Sequence, residues 1–168
     1  MLADKYADEI RSLLEKYPAE RKRSAVMPLL HLAQREYGYI TRAALEEVAE
    51  LCGTTPTEVG TVAGFYTLYH AQPAGRHTLQ VCTDLPCALH GGEQLAKKLC
   101  ANLGVRLGEV TPDGLFMVEE VMCLAGCDKA PVLQVQDAQG IHYHEKQTED
   151  SAMRLIDDLR RASKEPKA

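Results

Sequence analysis

The chain contains no tryptophan, and its aromatic content is only 5%. An aromatic platform for stacking bases or sugars is therefore not expected. It also lacks an excess of positive charge. With 19 Lys and Arg against 24 Asp and Glu, the net charge is −5, so no basic face is available for neutralising phosphates and nucleic acid is not an expected partner. No apolar run reaches the roughly 18 residues that span a bilayer, and direct membrane insertion is not expected. Met1-Leu2-Ala3-Asp4-Lys5 is not a basic segment leading into an apolar one, so no secretory leader is read there. A reducing, cytoplasmic location follows, and in that setting the six cysteines call for an explanation other than disulfides. A C-x-x-C redox pair and a G-x-G-x-x-G phosphate loop are both missing. Gly91-Gly92 stands alone and is not a nucleotide fingerprint.

At 168 residues the chain has room for one domain or two small ones. The first part has helical periodicity. Tyr6, Ile10, Leu13, Leu14 and Tyr17 line one face of a helix that should stop at Pro18. Ser24 is a candidate cap for a second helix, with Pro28 in its first turn and its end near Gly38. Thr41 should cap a third, ending at Gly53. Thr55-Pro56-Thr57-Glu58 reads as a capping box with proline in the first turn, starting a helix that runs to about Gly64.

Gln72-Pro73-Ala74-Gly75 breaks the pattern, and a domain boundary is placed there: 1–74 helical, 75–168 mixed. The second part reads as strand 78–82, helix 93–103, strands 115–121, 132–136 and 141–145, and helix 148–162. The fold class is therefore α+β, with the order β-α-β-β-β-α after a helical N-terminal domain. Residues 163–168 read as a frayed tail.

Five of the six cysteines lie in this second part. Cys82 and Cys87 form C-x4-C, and Cys123 and Cys127 form C-x3-C. Each pair follows a strand and lies in loop-like sequence, so two neighbouring loops at one end of a sheet could bring four thiolates together, the ligand set of a 2Fe-2S cluster. A helix starting soon after Cys87 would aim its N-terminal amides toward an anionic cluster. Three other readings stand beside this one. Structural zinc favours shorter knuckles, disulfides or unrelated core thiols fit a cytosolic chain poorly, and a thioredoxin-like redox enzyme would need the absent C-x-x-C. Cys52 and Cys100 lie on apolar helix faces and read as core thiols. His142 and His144 share a strand face. Arg21-Lys22-Arg23 reads as a solvated turn, and Phe65, Tyr66, Leu68 and Tyr69 as packing between the halves or a partner surface.

Several segments carry a resemblance: Cys82-Thr83-Asp84-Leu85-Pro86-Cys87, Val121-Met122-Cys123-Leu124-Ala125-Gly126-Cys127, Ala130-Pro131-Val132, Met27-Pro28-Leu29-Leu30, Tyr37-Gly38-Tyr39-Ile40, and Thr57-Glu58-Val59 leading to Phe65-Tyr66. Over nearly its whole length the chain resembles the 24-kDa-type subunit of NADH:quinone oxidoreductase (respiratory complex I, the bacterial E subunit). It is also similar to the matching subunit of bidirectional hydrogenases and NAD-dependent formate dehydrogenases. The resemblance implies a helical domain followed by a thioredoxin-like ferredoxin domain, with one 2Fe-2S cluster held by Cys82, Cys87, Cys123 and Cys127. It implies docking against a flavoprotein subunit that carries FMN, the NADH site and a 4Fe-4S cluster, alongside further iron–sulfur subunits, in the peripheral arm on the cytoplasmic side of the inner membrane. Family members often carry a small or hydroxylated residue where this chain has Asp84, so Asp84 is a candidate for tuning the cluster's potential, or simply a cap for its loop. No acid, base or nucleophile is nominated.

Overall fold

The computed structural model describes residues 1–164. The chain divides into two compact units, Met1–Pro73 and Ala74–Ala168.

The first unit is helical: α1 (Leu2–Lys5), α2 (Ala7–Leu14), a 3-10 segment (Ala19–Ala25), α3 (Val26–Tyr37), α4 (Arg42–Cys52) and α5 (Pro56–Phe65). The expected first helix is broken at Tyr6, which leaves helical geometry (φ −125°, ψ 30°). Its hydroxyl donates to Glu36 Oε2 at 2.7 Å and the Arg35 guanidinium lies over its ring at 5.3 Å, so its side chain is held by α3. Ser24 is not a cap. It lies inside the 3-10 segment, which runs directly into α3, and Ala25 occupies the cap position in helical conformation (φ −84°, ψ 0°). An extended backbone, which side-chain capping requires, never forms there. The other signals hold. Thr41 accepts from the Ala44 amide at 3.0 Å, α4 ends at Gly53, and Thr55 and Glu58 form the reciprocal capping box. Leu29, Leu30, Ala33, Val48 and Val59 make the centre of this unit's core.

The second unit contains β1 (His77–Cys82), α6 (Leu85–Leu89), α7 (Gly92–Leu103), β2 (Phe116–Val121), β3 (Leu133–Asp137), β4 (Gly140–His144) and α8 (Glu149–Lys164). The sheet order is β2-β1-β3-β4. β1 and β2 are parallel, with Cys82 opposite Val121; β3 runs antiparallel to both β1 and β4. Side chains alternate across a strand. Leu79, Val81, Phe116, Val118, Leu133 and Val135 therefore share one face, where they pack with Leu95, Leu99 and Ile156 of α7 and α8. The opposite face carries a buried polar row. Gln134 Nε2 donates to Gln80 Oε1 at 2.5 Å, and Gln80 Nε2 donates to Glu119 Oε2 at 3.2 Å. Three register-matched residues thus satisfy one another across three strands, as buried amides must. Cys82 alternates onto this face.

The expected frayed tail is corrected at Ser163, whose Oγ lies 3.1 Å from His77 Nε2, while His77 Nδ1 lies 3.0 Å from Asp137 Oδ2. That chain of contacts ties the end of α8 to the sheet. Residues 165–168 lie outside the described residues.

Candidate metal centre

Both cysteine pairs sit at the carboxyl ends of the parallel strands. Cys82 is the last residue of β1, and its amide donates to the Val132 carbonyl at 3.0 Å; the next amide, Thr83, donates to the Val121 carbonyl at 3.0 Å. These two bonds bind the segment after β1 to the segments flanking the second cysteine pair. Between Cys82 and Cys87 the chain is not simply a loop, as its composition suggested. Asp84 caps α6 by accepting from the Leu85 amide at 2.9 Å, Pro86 occupies the first turn, and Cys87 projects from that same turn. The helix containing Cys87 therefore begins before it, and the next helix, α7, begins at Gly92.

Cys123 follows β2 by two residues, and Cys127 opens a 3-10 turn, Cys127–Lys129. Their sulfurs are 3.5 Å apart, and the Ala125 amide donates to Cys123 Sγ at 3.4 Å. The turn is tight: Ala125 adopts φ +60°, and a Cβ on Gly126 would lie 2.9 Å from Val132 Cγ2. The peptide between Ala130 and Pro131 is cis. Val132 then leads the chain into β3 beside β1.

The two pairs differ in exposure. Cys82 and Cys87 are buried and pack with Val132, Leu124 and Ala130 in a small apolar cluster of their own. Cys123 and Cys127 are exposed. Leu85, Leu89 and Met122, neighbours of the cysteines in sequence, are 69%, 79% and 78% exposed. Burial pushes the Cys87 thiol up to about 11, opposed by the Val132 amide and reinforced by the Cys82 and Cys127 thiols. The Cys127 thiol is also raised, first by its contact with Cys123, then by burial, and further by Cys123, Cys82 and Asp84. The thiols and the Asp84 carboxylate thus share one electrostatic neighbourhood. Among the described residues, no three His, Cys, Asp or Glu side chains converge on the position of a single metal ion. The donor set is four thiols in two loop-closed pairs. Four thiols are the number and kind of donors that a 2Fe-2S cluster would take.

The remaining candidates fall elsewhere. Cys52 is buried in the helical core and Cys100 in the core beneath the sheet. His142 and His144 are on β4; His144 is half-buried, and burial, followed by the neighbouring His142, lowers its basicity. Arg23 pairs with Glu58 at 3.1 Å. Phe65 is 76% exposed, whereas Tyr69 is buried. The sequence marked Val132 only as part of Ala130-Pro131-Val132, without the support that its backbone and side chain give to both pairs, and gave Gly92 no structural role. The Gly91-Gly92 dipeptide was the available signal for the latter.

A model of the thioredoxin-like 2Fe-2S ferredoxin family matches residues 10–160. Over 134 residues, 80% of this chain and 74% of the relative, the sequence is 50% identical to NADH-quinone oxidoreductase subunit 2 of Thermus thermophilus. Over 130 residues, 77% of this chain and 76% of the relative, it is 45% identical to the NADH-quinone oxidoreductase E 2 subunit of Rhizobium meliloti. A crystal structure of an NAD+-reducing nickel–iron hydrogenase in the air-oxidized state matches 84% of this chain with a TM-score of 0.70 at 21% identity. This chain spans 24% of the matched hydrogenase chain, and the likeness is one of fold. The family carries one 2Fe-2S cluster, for which the four thiols at the ends of β1 and β2 supply a suitable donor set. With its four-stranded sheet, its two cysteine pairs and a match from residue 10 to residue 160, the chain belongs to the thioredoxin-like 2Fe-2S ferredoxin family.

Proposed function

We propose that this chain is the electron-transfer subunit of an NADH dehydrogenase module in an NADH:quinone oxidoreductase, with Cys82, Cys87, Cys123 and Cys127 as the ligands of its 2Fe-2S cluster. The observation that supports this reading is that each cysteine pair follows the carboxyl end of one of two hydrogen-bonded parallel strands. The names of relatives at 45–50% identity supply the assembly. The proposed partner is a flavoprotein subunit holding FMN, the NADH site and a 4Fe-4S cluster, beside further iron–sulfur subunits, in a peripheral arm at the cytoplasmic side of the membrane. Among the described residues no helix is long and apolar enough to cross a membrane.

When bound, the cluster supplies one-electron chemistry at a potential set by its charge, hydrogen bonds and exposure. The chain's own residues provide the surroundings. Cys82 and Cys87 hold their side of the site away from water, against Val132. The Ala125 amide, already on Cys123 Sγ, is placed to hydrogen-bond a thiolate there. Cys123 and Cys127 present the other side at the surface, where a redox partner can approach.

Iron and acid-labile sulfide analysis, visible absorption and EPR of the dithionite-reduced chain test this reading. Serine at Cys82, Cys87, Cys123 or Cys127 should abolish or strongly perturb the signal. Serine at Cys52 or Cys100 should leave it intact, because those thiols lie in separate cores. A colourless zinc protein, or a signal lost in Cys100→Ser but retained in Cys87→Ser, would refute the assignment. The assembly is tested by co-purification: the native chain should be isolated with a flavoprotein.

A further inference from the structure

The Gly91-Gly92 pair lies where β1, α6 and α7 meet. Gly92 is the first residue of α7, a helix of 12 residues. Its missing side chain faces backbone, not solvent. A Cβ there would lie 2.5 Å from the carbonyl oxygen of Cys82 and 3.0 Å from that of Cys87. Gly91, just before it, is in the left-handed region (φ +89°), with only Gln94 Oε1 near the position of a Cβ, at 3.8 Å. The two glycines therefore do different things. Gly91 lets the chain turn from α6 into α7. Gly92 lets the start of α7 rest directly on the carbonyls of two buried cysteines that belong to different elements.

The structure assigns Gly92 as a positioning residue for the metal centre: it docks α7 on the Cys82 and Cys87 backbone and thereby fixes the spacing of the two buried thiols. This rests on the reading that those thiols are ligands. The size of the effect follows from the contact distances. To move from 2.5 Å to the 3.4 Å of ordinary contact, the Cys82 carbonyl or the helix must shift by about 0.9 Å (3.4 − 2.5). Metal-site geometry tolerates roughly 0.5 Å before function suffers. The obstructing atoms are backbone, so no side-chain rotation relieves the clash. Cys82 is fixed on its other side by its bond to Val132, and Cys87 is fixed by the short helix that Asp84 caps. A substituent at position 92 would therefore change the distance between the pair, not carry both thiols along together.

The test compares Gly92→Ala with Gly104→Ala in the full chain. Gly104 caps the far end of α7 at φ +69° with nothing within 4 Å of its Cβ position. Its substitution strains the same helix without placing any atom against Cys82 or Cys87. Each variant is measured for apo-chain thermal unfolding, for the EPR g values of the reduced cluster, and for the rate at which a chelator bleaches the visible absorption. Gly92→Ala should shift the g values and bleach about tenfold faster, the scale on which supporting residues act at metal sites. Gly104→Ala should lower the unfolding temperature and leave the spectrum unchanged. Unaltered g values and bleaching in a folded, loaded Gly92→Ala chain would overturn the assignment. If that variant does not fold, hydrogen exchange on the unsubstituted chain decides. Coupling is reciprocal, so cluster loading should raise protection at residues 91–94 more than at 101–104, and equal protection would overturn the proposal. Cys82→Ser separates the two ideas. If it loses the cluster while Gly92→Ala is silent, only the positioning role fails; if it keeps the cluster, the ligand reading fails.

Discussion

Asp84 occupies the three-way junction between a strand end, a short helix and the thiols. Its carboxylate accepts the Leu85 amide, and its charge is felt at Cys127. Capping and charge can be separated by choice of substitution. Asparagine keeps an oxygen for the cap and removes the charge; alanine removes both. A carboxylate near a cluster disfavours the more negative, reduced state. In a one-electron couple, about 59 mV corresponds to about 1.4 kcal/mol, and partial solvent screening reduces the effect below the full Coulomb value. Asp84→Asn should therefore raise the midpoint potential by some tens of millivolts, more at low salt than at high, with little change in apo stability. Asp84→Ala should raise it similarly and also cost about 1 kcal/mol of stability. Potentiometric EPR titration of the three forms is the measurement, and equal midpoints for the unsubstituted and Asp84→Asn chains would eliminate the electrostatic role. At this scale the sequence was informative where spacing carries chemistry, as in the two cysteine pairs. It placed Val132 in the Ala130-Pro131-Val132 segment but gave it no role, because a valine looks the same in sequence whether it supports a site or fills a core.

At the scale of elements, the segment after α5 is bound to α3 and the turn that follows it by a set of polar contacts. Tyr69 Oη donates to the Met27 carbonyl at 3.0 Å, Gln34 Nε2 donates to the Leu68 carbonyl at 2.8 Å, the His70 amide donates to Gln34 Oε1 at 2.8 Å, and the Ile40 amide donates to the His70 carbonyl at 2.8 Å. Burial, with Tyr66 nearby, pushes the Tyr69 phenol up to about 12 from its ordinary 10.0. The folded chain thus keeps a proton that the unfolded chain releases near pH 10. The contribution is fully present below pH 10 and is lost as the pH rises through about 12, a loss of about 2–3 kcal/mol. Tyr69→Phe should cost about 1 kcal/mol at neutral pH and flatten that part of the alkaline decline. Denaturant titrations from pH 9 to 12 measure this; parallel declines in the two chains would contradict it. Helix ends marked by Thr41, Gly53 and Thr55 were legible because caps act through neighbouring residues. The five residues of α6 were not, because Leu-Pro-Cys-Ala-Leu is too short to show a period; only Asp84 followed by a first-turn proline marked it. Ser24 misled for the opposite reason: its residue type suits a cap, but the preceding backbone is already helical.

At the scale of the molecule, the two units have separate cores, one built from residues 2–69 and the others from residues 79–156. Cys82, Cys87, Cys123 and Cys127, the proposed ligands, all belong to the second unit. Residues 74–168 produced alone should therefore take up iron and sulfide and give the visible spectrum of the full chain, whereas residues 1–73 should take up none. A fragment 74–168 that folds by circular dichroism yet remains colourless would show that the first unit contributes to the centre. The strands of the second unit were readable from alternation, and the order of its elements, α6 apart, followed from the turns. The sheet order was not, because the pairing of β1 with both β2 and β3 depends on contacts between residues far apart in the chain.

The parallel pairing of β1 with β2 also has a consequence in time. Cys87 and Cys123 are separated by 36 positions (123 − 87). A ribosome adding about 5–20 residues per second finishes the first pair about 2–7 seconds before it begins the second. The nascent chain then holds two thiols that no strand yet covers. Only when β2 pairs alongside, and Val132 arrives to bond Cys82, do the first two thiols acquire both their partners and their shelter. The first pair thus waits several seconds for the segments that enclose it, and once the fold is complete Cys82 and Cys87 are buried while Cys123 and Cys127 stay exposed.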